Sequence, residues 1–436
     1  MLGESKTAVR GVATIAALLS VAGVTLAGQA LASSKDDGTV IRTWTGLAMT
    51  AVRDTTPMTD AKAARTYAMV DAAMYDAVNG LAGKGHSHSS AIVPPKGNSS
   101  GDAEVAAAAA AHDVLVALYP DHTSSYDAQL ATDISNADSA RQAEKGRAWG
   151  QQVASGVLAA RSNDGISGSE TQTLPYAVGQ WEGTWGSQPR HLAPFAVADP
   201  YSYVDGGPPT LDSAEYAAGY DAVKYYGDLN NPIAGATETY NFWALGGKTD
   251  QPAGAWLQIA QTVSADRGLS LADTARLFAL ESMAMADTVP ATYQTKWVYT
   301  HWRPQVAIQH GDDDPNGATQ GVPTWTARAK QVGSSPQHYS GHSTFSAAGA
   351  TVLAGFFCTD NLTFSLDTDD VGTGPRTYGS FSQAATEAGW SRVLGGQHFP
   401  FSNEAGLSAG RAIGNEVLST ALLSAHHSEE RRGCRR

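Results

Sequence analysis

The stretch DAEVAAAAAAHDVLVALYP, residues 102–120, reads as a helix from Asp102 to Leu118. Alanine loses least on entering a helix, so the unbroken run from Ala106 to Ala111 favours that state, and Pro120 bars continuation. Upstream, Thr59 is a suitable N-cap. Ala61, Ala64, Ala68, Ala72 and Tyr75 then recur at three- to four-residue spacing, and Asn79-Gly80 supplies a stop. Downstream, the same spacing predicts helices over 123–137, 140–161, 212–227, 233–245, 254–265, 270–287, 290–299, 342–357, 381–393 and 402–424. Alternation of period two is scarce, which argues against a sheet of any size. The Ala- and Gly-rich faces favour close helix–helix contact, so the expected class is all-α, built of helical bundles.

With 436 residues the chain can bury a large core. Only 16% of residues are charged, which fits a folded chain and not a disordered one. The formal net charge of −13 argues against nucleic acid or an anionic membrane surface as the partner. An anion bound by this protein is therefore captured locally, within a cationic pocket, and is not steered from afar.

Lys6 and Arg10 precede a mostly small and apolar stretch from Gly11 to Leu31, and Ala30-Leu31-Ala32 suits a cleavage site before Ser33-Ser34. Residues 1–32 are thus expected to be a signal peptide, with a secreted product. Thr, Ser and Gln interrupt the apolar run, which favours cleavage over a retained anchor. The expected order is then an N-terminal helical half over 33–210, a C-terminal helical bundle over 211–426 and a charged tail over 427–436. Cys358 and Cys434 are the only cysteines, so no disulfide framework holds the fold. They either form one bridge after export or remain apart, Cys358 buried in a helix and Cys434 in the tail.

Two long stretches resist a helical reading. Residues 163–210 are rich in Gly, Pro and aromatics, among them Trp181, Trp185, Pro194 and Tyr201, and read as a functional lid or as a linker. Residues 310–337 are the second, and Asp312 to Gly317 imitate the opening of a calcium loop. Pro323 occupies the twelfth position where a Glu is needed, and Pro315 sits inside, so a polar turn is the better reading.

Three short segments carry the chemistry: Lys296…Arg303-Pro304, Ser340-Gly341-His342, and Ser391-Arg392…His398. Arg offers a planar fork for two oxygens, Lys a point charge, and a helix N-terminus free N–H donors. Lys296 and Arg303 are seven apart, so they are expected on one face of a helix ending at Pro304. Ser340 is placed as an N-cap, with Gly341 allowing close backbone approach and His342 in the first turn. Arg392 closes a helix, Gly395-Gly396 breaks it, and His398 lands in the turn before the next. Such a set suits one tetrahedral or trigonal-bipyramidal oxyanion, with a histidine placed to attack phosphorus or to coordinate a metal oxide.

Together these segments resemble the signature of the vanadium-dependent haloperoxidases and type 2 phosphatidic acid phosphatases: K-x6-R-P, P-S-G-H and S-R-x5-H. The chain has Lys296-x6-Arg303-Pro304, Tyr339-Ser340-Gly341-His342 and Ser391-Arg392-x5-His398, separated by residues 305–339 and 343–390. Similarity to the exported bacterial haloperoxidase branch extends through His301 to Ile308, Ser340 to Ser346, Phe381 to Ala385 and Gly395 to Phe401. It covers about 290–415.

The resemblance implies two packed helical bundles and a vanadate cofactor. His398 would bind vanadium, with Lys296, Arg303, Ser340, Gly341 and Arg392 holding its oxygens and His342 as acid–base partner. It implies that hydrogen peroxide is activated at pentavalent vanadate, that Lys296 polarises it, and that halide attacks. A hypohalous-acid equivalent then halogenates a small organic acceptor. Two alternatives use the same residues: a secreted acid phosphatase in which His398 becomes a phosphohistidine, and a non-catalytic phosphate- or vanadate-binding helical protein.

The chain departs from the family at Tyr339, where the family has Pro, and at His338, where it has Tyr. His338 is expected to be a hydrogen-bonded loop histidine, with a share in proton chemistry as the alternative. Ser335 replaces the aromatic or His thought to tune halide preference, which leaves chloride and bromide undecided.

Overall fold

In the computed structural model the alanine run becomes one strut of a mostly helical body. The structure describes residues 37–82, 88–95, 100–369 and 372–424. The expected signal peptide, the charged tail and Cys434 lie outside the described residues. In chain order the helices are α1 (Thr39–Asp54), α2 (Asp60–Asn79), α3 (Ala103–Leu118), α4 (Thr123–Ser135), α5 (Ala140–Ala160), α6 (Ala214–Tyr226) and α7 (Ala236–Phe242). They continue with α8 (Gln251–Asp266), α9 (Leu271–Tyr299), α10 (Pro304–Gln309), α11 (Gly341–Phe357), α12 (Phe381–Leu394) and α13 (Pro400–Thr420). Among the described residues the strands form two antiparallel pairs, β1 (Thr171–Leu174) with β2 (Gly183–Gly186), and β3 (Phe364–Leu366) with β4 (Arg376–Tyr378). The all-α expectation stands.

Small residues set the packing distances. A Cβ on Gly150 of α5 would lie 2.3 Å from the Ala106 carbonyl oxygen, so α3 and α5 meet backbone to backbone. On α13, a Cβ on Gly406 would lie 2.5 Å from the Ser340 carbonyl, and one on Gly410 2.2 Å from that of Thr344. Only glycine permits that approach, which fixes α13 against the first turns of α11. At the centre runs α9, packed against α2, α8, α11 and α13.

Several elements depart from the sequence expectation. Helices expected over 270–287 and 290–299 are one, α9, with Pro290 inside it. An interior proline costs about 3 kcal/mol. Here Met285 to Ala291 are all buried, and their packing offsets that cost. Helix α1 was not anticipated, although Ile41, Trp44, Thr45, Ala48, Met49 and Val52 are buried at helical spacing. Nor was the short α10.

Cys358 stands exposed at the left-handed residue that caps α11 (φ 54°) and is disulfide-bonded, so a buried thiol is not what the fold provides.

Residues 163–210 are pinned to the helical body. Asp287 of α9 accepts the N–H groups of Phe195, Ala196 and Val197 at 2.6–2.8 Å. Burial pushes its carboxyl up to about 6 against those three donors. Trp181 N–H donates to the Thr300 carbonyl at 2.7 Å, and Trp302 N–H to that of Gly179 at 3.0 Å. The loop is thereby stitched to the segment between α9 and α10. In the second stretch Asp312 and Asp314 turn inward on their own loop, accepting from Gly321 N–H at 2.9 Å and Asn316 N–H at 2.8 Å.

Candidate active site

Where α9 ends decides how its cations are presented. Thr300 takes a left-handed conformation (φ 46°), which stops the helix one turn beyond Lys296. Arg303 precedes a proline, which disfavours helical backbone, and it is extended (φ −80°, ψ 152°) as the N-cap of α10. The expectation that Lys296 and Arg303 share one helical face is not met. They approach one cavity from consecutive elements instead.

Gly396 brings in the third segment. It has φ 69°, and a Cβ there would lie 2.9 Å from the Trp325 ring and 3.0 Å from the Gly227 carbonyl. Strain and crowding both demand glycine. The turn returns the N–H groups of Gln397 and His398 to the Arg392 carbonyl at 2.9 and 3.3 Å, placing His398 beside the end of α12.

A cavity of about 450 Å³ results, lined by Lys296, Arg303, Gly341, His342, Arg392 and His398. Of the residues expected to hold the oxyanion, Ser340 does not line it. Its hydroxyl accepts the Ser343 N–H as the N-cap of α11 and stands 2.7 Å from Ser343 Oγ. The remaining wall comes from elements the motifs do not mention. Met58, Thr59 and Asp60 approach from the start of α2, Trp185 and Gly186 from β2, and Gly333 to Ser335 from the second loop.

The cations are held by carbonyls and not by carboxylates. Lys296 Nζ donates to the Pro336 carbonyl. Arg303 donates from Nε to the Ser335 carbonyl at 2.8 Å, and from one terminal nitrogen to the Gln397 carbonyl at 3.0 Å and to His398 Nε2 at 3.1 Å. Arg392 lies with its guanidinium 5.1 Å from the centre of the Tyr240 ring, and its buried Nε has no hydrogen-bond partner among the described residues. Burial and mutual repulsion oppose these charges. Burial, then Arg303, holds Lys296 well below the ordinary lysine value, and burial, then Arg392, lowers Arg303 to about 9. Desolvated like charges with an orphaned donor call for an anion.

His398 is held in one tautomer. Its Nδ1 lies 3.3 Å from Gln337 Oε1, an acceptor, so Nδ1 carries the proton and Nε2 is a lone pair. Gln337 Nε2 donates in turn to His301 Nδ1 at 3.0 Å. His342 is fixed the opposite way: Nε2–H donates to the Ala244 carbonyl at 3.0 Å, leaving Nδ1 basic. Burial first, and the neighbouring cations next, hold both histidines well below the usual imidazole value. Both are therefore neutral around pH 7.

His338 sits outside this cavity, buried with Nε2 2.9 Å from Asp205. That is the hydrogen-bonded loop histidine of the sequence reading. Ser335 lines the cavity with its Oγ 3.3 Å from an Arg303 nitrogen, and the aromatic rings in the wall are Trp185 and Tyr293.

Sequence reasoning missed Asp60 and Gln337, and it gave Trp185 only as part of a lid or linker. Asp60 Oδ1 accepts the Ala61 N–H at 2.7 Å and the Tyr293 hydroxyl at 3.0 Å. Burial raises its carboxyl, against those two donors and the Lys296 charge. Directly after the Thr59 cap it reads as an ordinary first-turn acid, and no local pattern marks it.

The geometry agrees with what the chain resembles. Residues 276–426 match the VCPO second helical-bundle domain. No curated protein sequence matches the chain. Among solved structures, the first bacterial vanadium-dependent iodoperoxidase superposes with a TM-score of 0.73 at 24% identity, covering 89% of this chain and 98% of that one. A bacterial vanadium-dependent chloroperoxidase in its holo form superposes with a TM-score of 0.64 at 15% identity, covering 88% and 94%. Residues 276–426 thus carry the VCPO second helical-bundle domain, and the described chain shares the helical fold of these vanadium-dependent haloperoxidase structures.

Proposed function

We propose that this cavity binds vanadate and uses it, with hydrogen peroxide, to oxidise halide to a hypohalous-acid equivalent that halogenates organic acceptors. The observation that carries this reading is His398 Nε2, unprotonated and bonded to Arg303, in a cavity it shares with Lys296 and Arg392. The donor set fits the group: an imidazole lone pair for the metal, three cations for its oxygens, and Arg392 Nε without a partner among the described residues. Bound vanadate would supply Lewis-acid activation of the peroxide towards halide.

The protein's own part is charge and proton handling. Lys296, Arg303 and Arg392 neutralise the oxyanion, and the first amides of α11 at Gly341 face it from a helix N-terminus. His342 Nδ1, neutral and basic, takes a proton from peroxide entering the cavity and returns one to a departing oxygen. Gln337 keeps the Nδ1 proton of His398 away from the ligand. Export is part of the same reading: the signal-like residues 1–32 support it, as does the disulfide at Cys358, which suits an oxidising compartment.

The test is vanadate loading followed by peroxide and bromide with a chromogenic acceptor, beside a phosphate-ester assay. Bromination that requires vanadate supports the proposal. Ester hydrolysis inhibited by vanadate, without bromination, would assign the cavity to phosphohistidine chemistry instead, and neither activity would leave only an oxyanion-binding protein.

A further inference from the structure

The cavity walls bring together cations and histidines with one carboxyl, that of Asp60. Its two oxygens are not equivalent. Oδ1 is engaged by the Ala61 N–H and the Tyr293 hydroxyl, whereas Oδ2 receives no hydrogen bond from the described residues. Oδ2 lies 3.9 Å from the position a Cβ would occupy on Gly341, which sets it beside the first turn of α11 where that helix borders the cavity. Burial raises the Asp60 carboxyl, while the Tyr293 hydroxyl, the Ala61 N–H, the Lys296 charge, its own backbone N–H and the N-terminal end of α2 favour the ionised form. A carboxylate among anion-binding groups repels an anion in general, so its presence asks for a specific partner.

We propose that Asp60 Oδ2 is a selectivity element: it accepts a hydrogen bond from a protonated oxygen of the bound oxyanion. The cavity thereby admits tetrahedral anions that keep a hydroxyl near neutral pH, such as vanadate and phosphate, and rejects those that do not, such as sulfate. An ionised carboxylate only accepts. Every oxygen of sulfate also only accepts, so the pair would meet lone pair to lone pair in a partly desolvated site, with neither satisfied. A hydroxyl on the guest turns the same contact into a charge-assisted hydrogen bond. The step moves no bond and no electron. The inference rests on reading the cavity as an oxyanion site, and it adds which oxyanions that site accepts.

Equilibrium dialysis of vanadate near neutral pH, with phosphate or sulfate as competitor, tests it on the full chain. In the wild-type protein phosphate should compete at least about tenfold better than sulfate, the worth of roughly 1.4 kcal/mol. In Asp60→Asn the side-chain amide offers a donor, and the phosphate-to-sulfate ratio should fall to within about threefold of one, a loss of most of that discrimination. The ratio is the readout, because removing a negative charge strengthens every anion together. An unchanged ratio in Asp60→Asn overturns the proposal. So does a wild-type protein that binds sulfate as well as phosphate, a result that does not depend on the variant folding. Failure of the wild type to bind any of the three anions overturns the oxyanion reading as well.

Discussion

His398 Nδ1 lies 3.3 Å from Gln337 Oε1, and that contact settles which ring nitrogen faces the cavity. Arg303, whose guanidinium can only donate, meets His398 Nε2 at 3.1 Å, so Nε2 is the acceptor and Nδ1 carries the proton towards Gln337, whose other amide end meets His301 Nδ1 at 3.0 Å. His301 is buried among the rings of Tyr216, Phe399 and Phe401, where burial, then His338, holds its pKa down to about 3, so it stays neutral across the neutral range. One neutral, buried histidine thus orients an amide, and the amide orients the histidine that would bind the metal.

Replacing Gln337 by Leu removes that acceptor and frees the other tautomer. Outer-shell partners of metal-binding histidines are typically worth 10- to 100-fold in affinity. Vanadate affinity in Gln337→Leu should fall by about that factor, while Gln337→Glu, which keeps an acceptor at Oε1, should retain more of it. Equal affinities in equilibrium dialysis would show that the tautomer is set elsewhere.

Gly341 separates ligand binding from stability. A methyl group there would meet Thr292 Cγ2 at 3.7 Å and Asp60 Oδ2 at 3.9 Å, ordinary contact distances, and the backbone is not in the left-handed region. Gly341→Ala should fold with an unchanged or slightly raised melting temperature, since alanine is the better helix former by up to about 1 kcal/mol. The methyl projects towards Asp60, so oxyanion affinity should drop, by about tenfold if roughly 1.4 kcal/mol of contact is lost. A lowered melting temperature with intact binding would contradict this division.

Away from the site, Asp71 of α2 and Glu281 of α9 face each other's charge inside the core. Asp71 accepts from Thr45 Oγ1 at 2.8 Å and is also steadied by Ser282, while neither carboxyl oxygen of Glu281 has a partner among the described residues. Burial pushes Asp71 up to about 8 from 3.8. Between those values the folded state holds a proton that the unfolded state has lost, so this contribution to stability diminishes as pH rises. Relative to Asp71→Asn, the wild type should lose up to about 1.4 kcal/mol per pH unit between about pH 5 and 8, and little more above. Urea unfolding of both proteins across that window is the check, and parallel curves would show that Asp71 titrates normally.

Much of the fold was legible because its signals are local. The alanine run of α3, the Thr59 cap of α2 and the glycines after α12 each act within a few residues. Where the reading failed, tertiary packing prevailed: Pro290 should have broken α9, but buried neighbours on both sides keep the helix whole. Helix α1 carries a regular buried stripe at helical spacing, a signal as local as that of α3. The three motif segments do converge, yet by a route the spacing did not give, since Lys296 and Arg303 belong to different helices. Of the remaining wall, Ser335 and the Trp185 loop were marked by the sequence, but Asp60 and the meeting of these elements were not. Asp60 and Trp185 are 125 positions apart in the chain and reach the cavity only because α2 packs on α9 and the 163–210 loop is pinned by Asp287. No pattern along the sequence encodes that meeting.

Vanadium content after vanadate loading and gel filtration, compared among wild type, His398→Ala and His342→Ala, decides whether His398 Nε2 is the atom on which the site is built. Wild type and His342→Ala should retain vanadium, with turnover lost in the latter, and His398→Ala should retain almost none. Full vanadium content in His398→Ala would contradict the account.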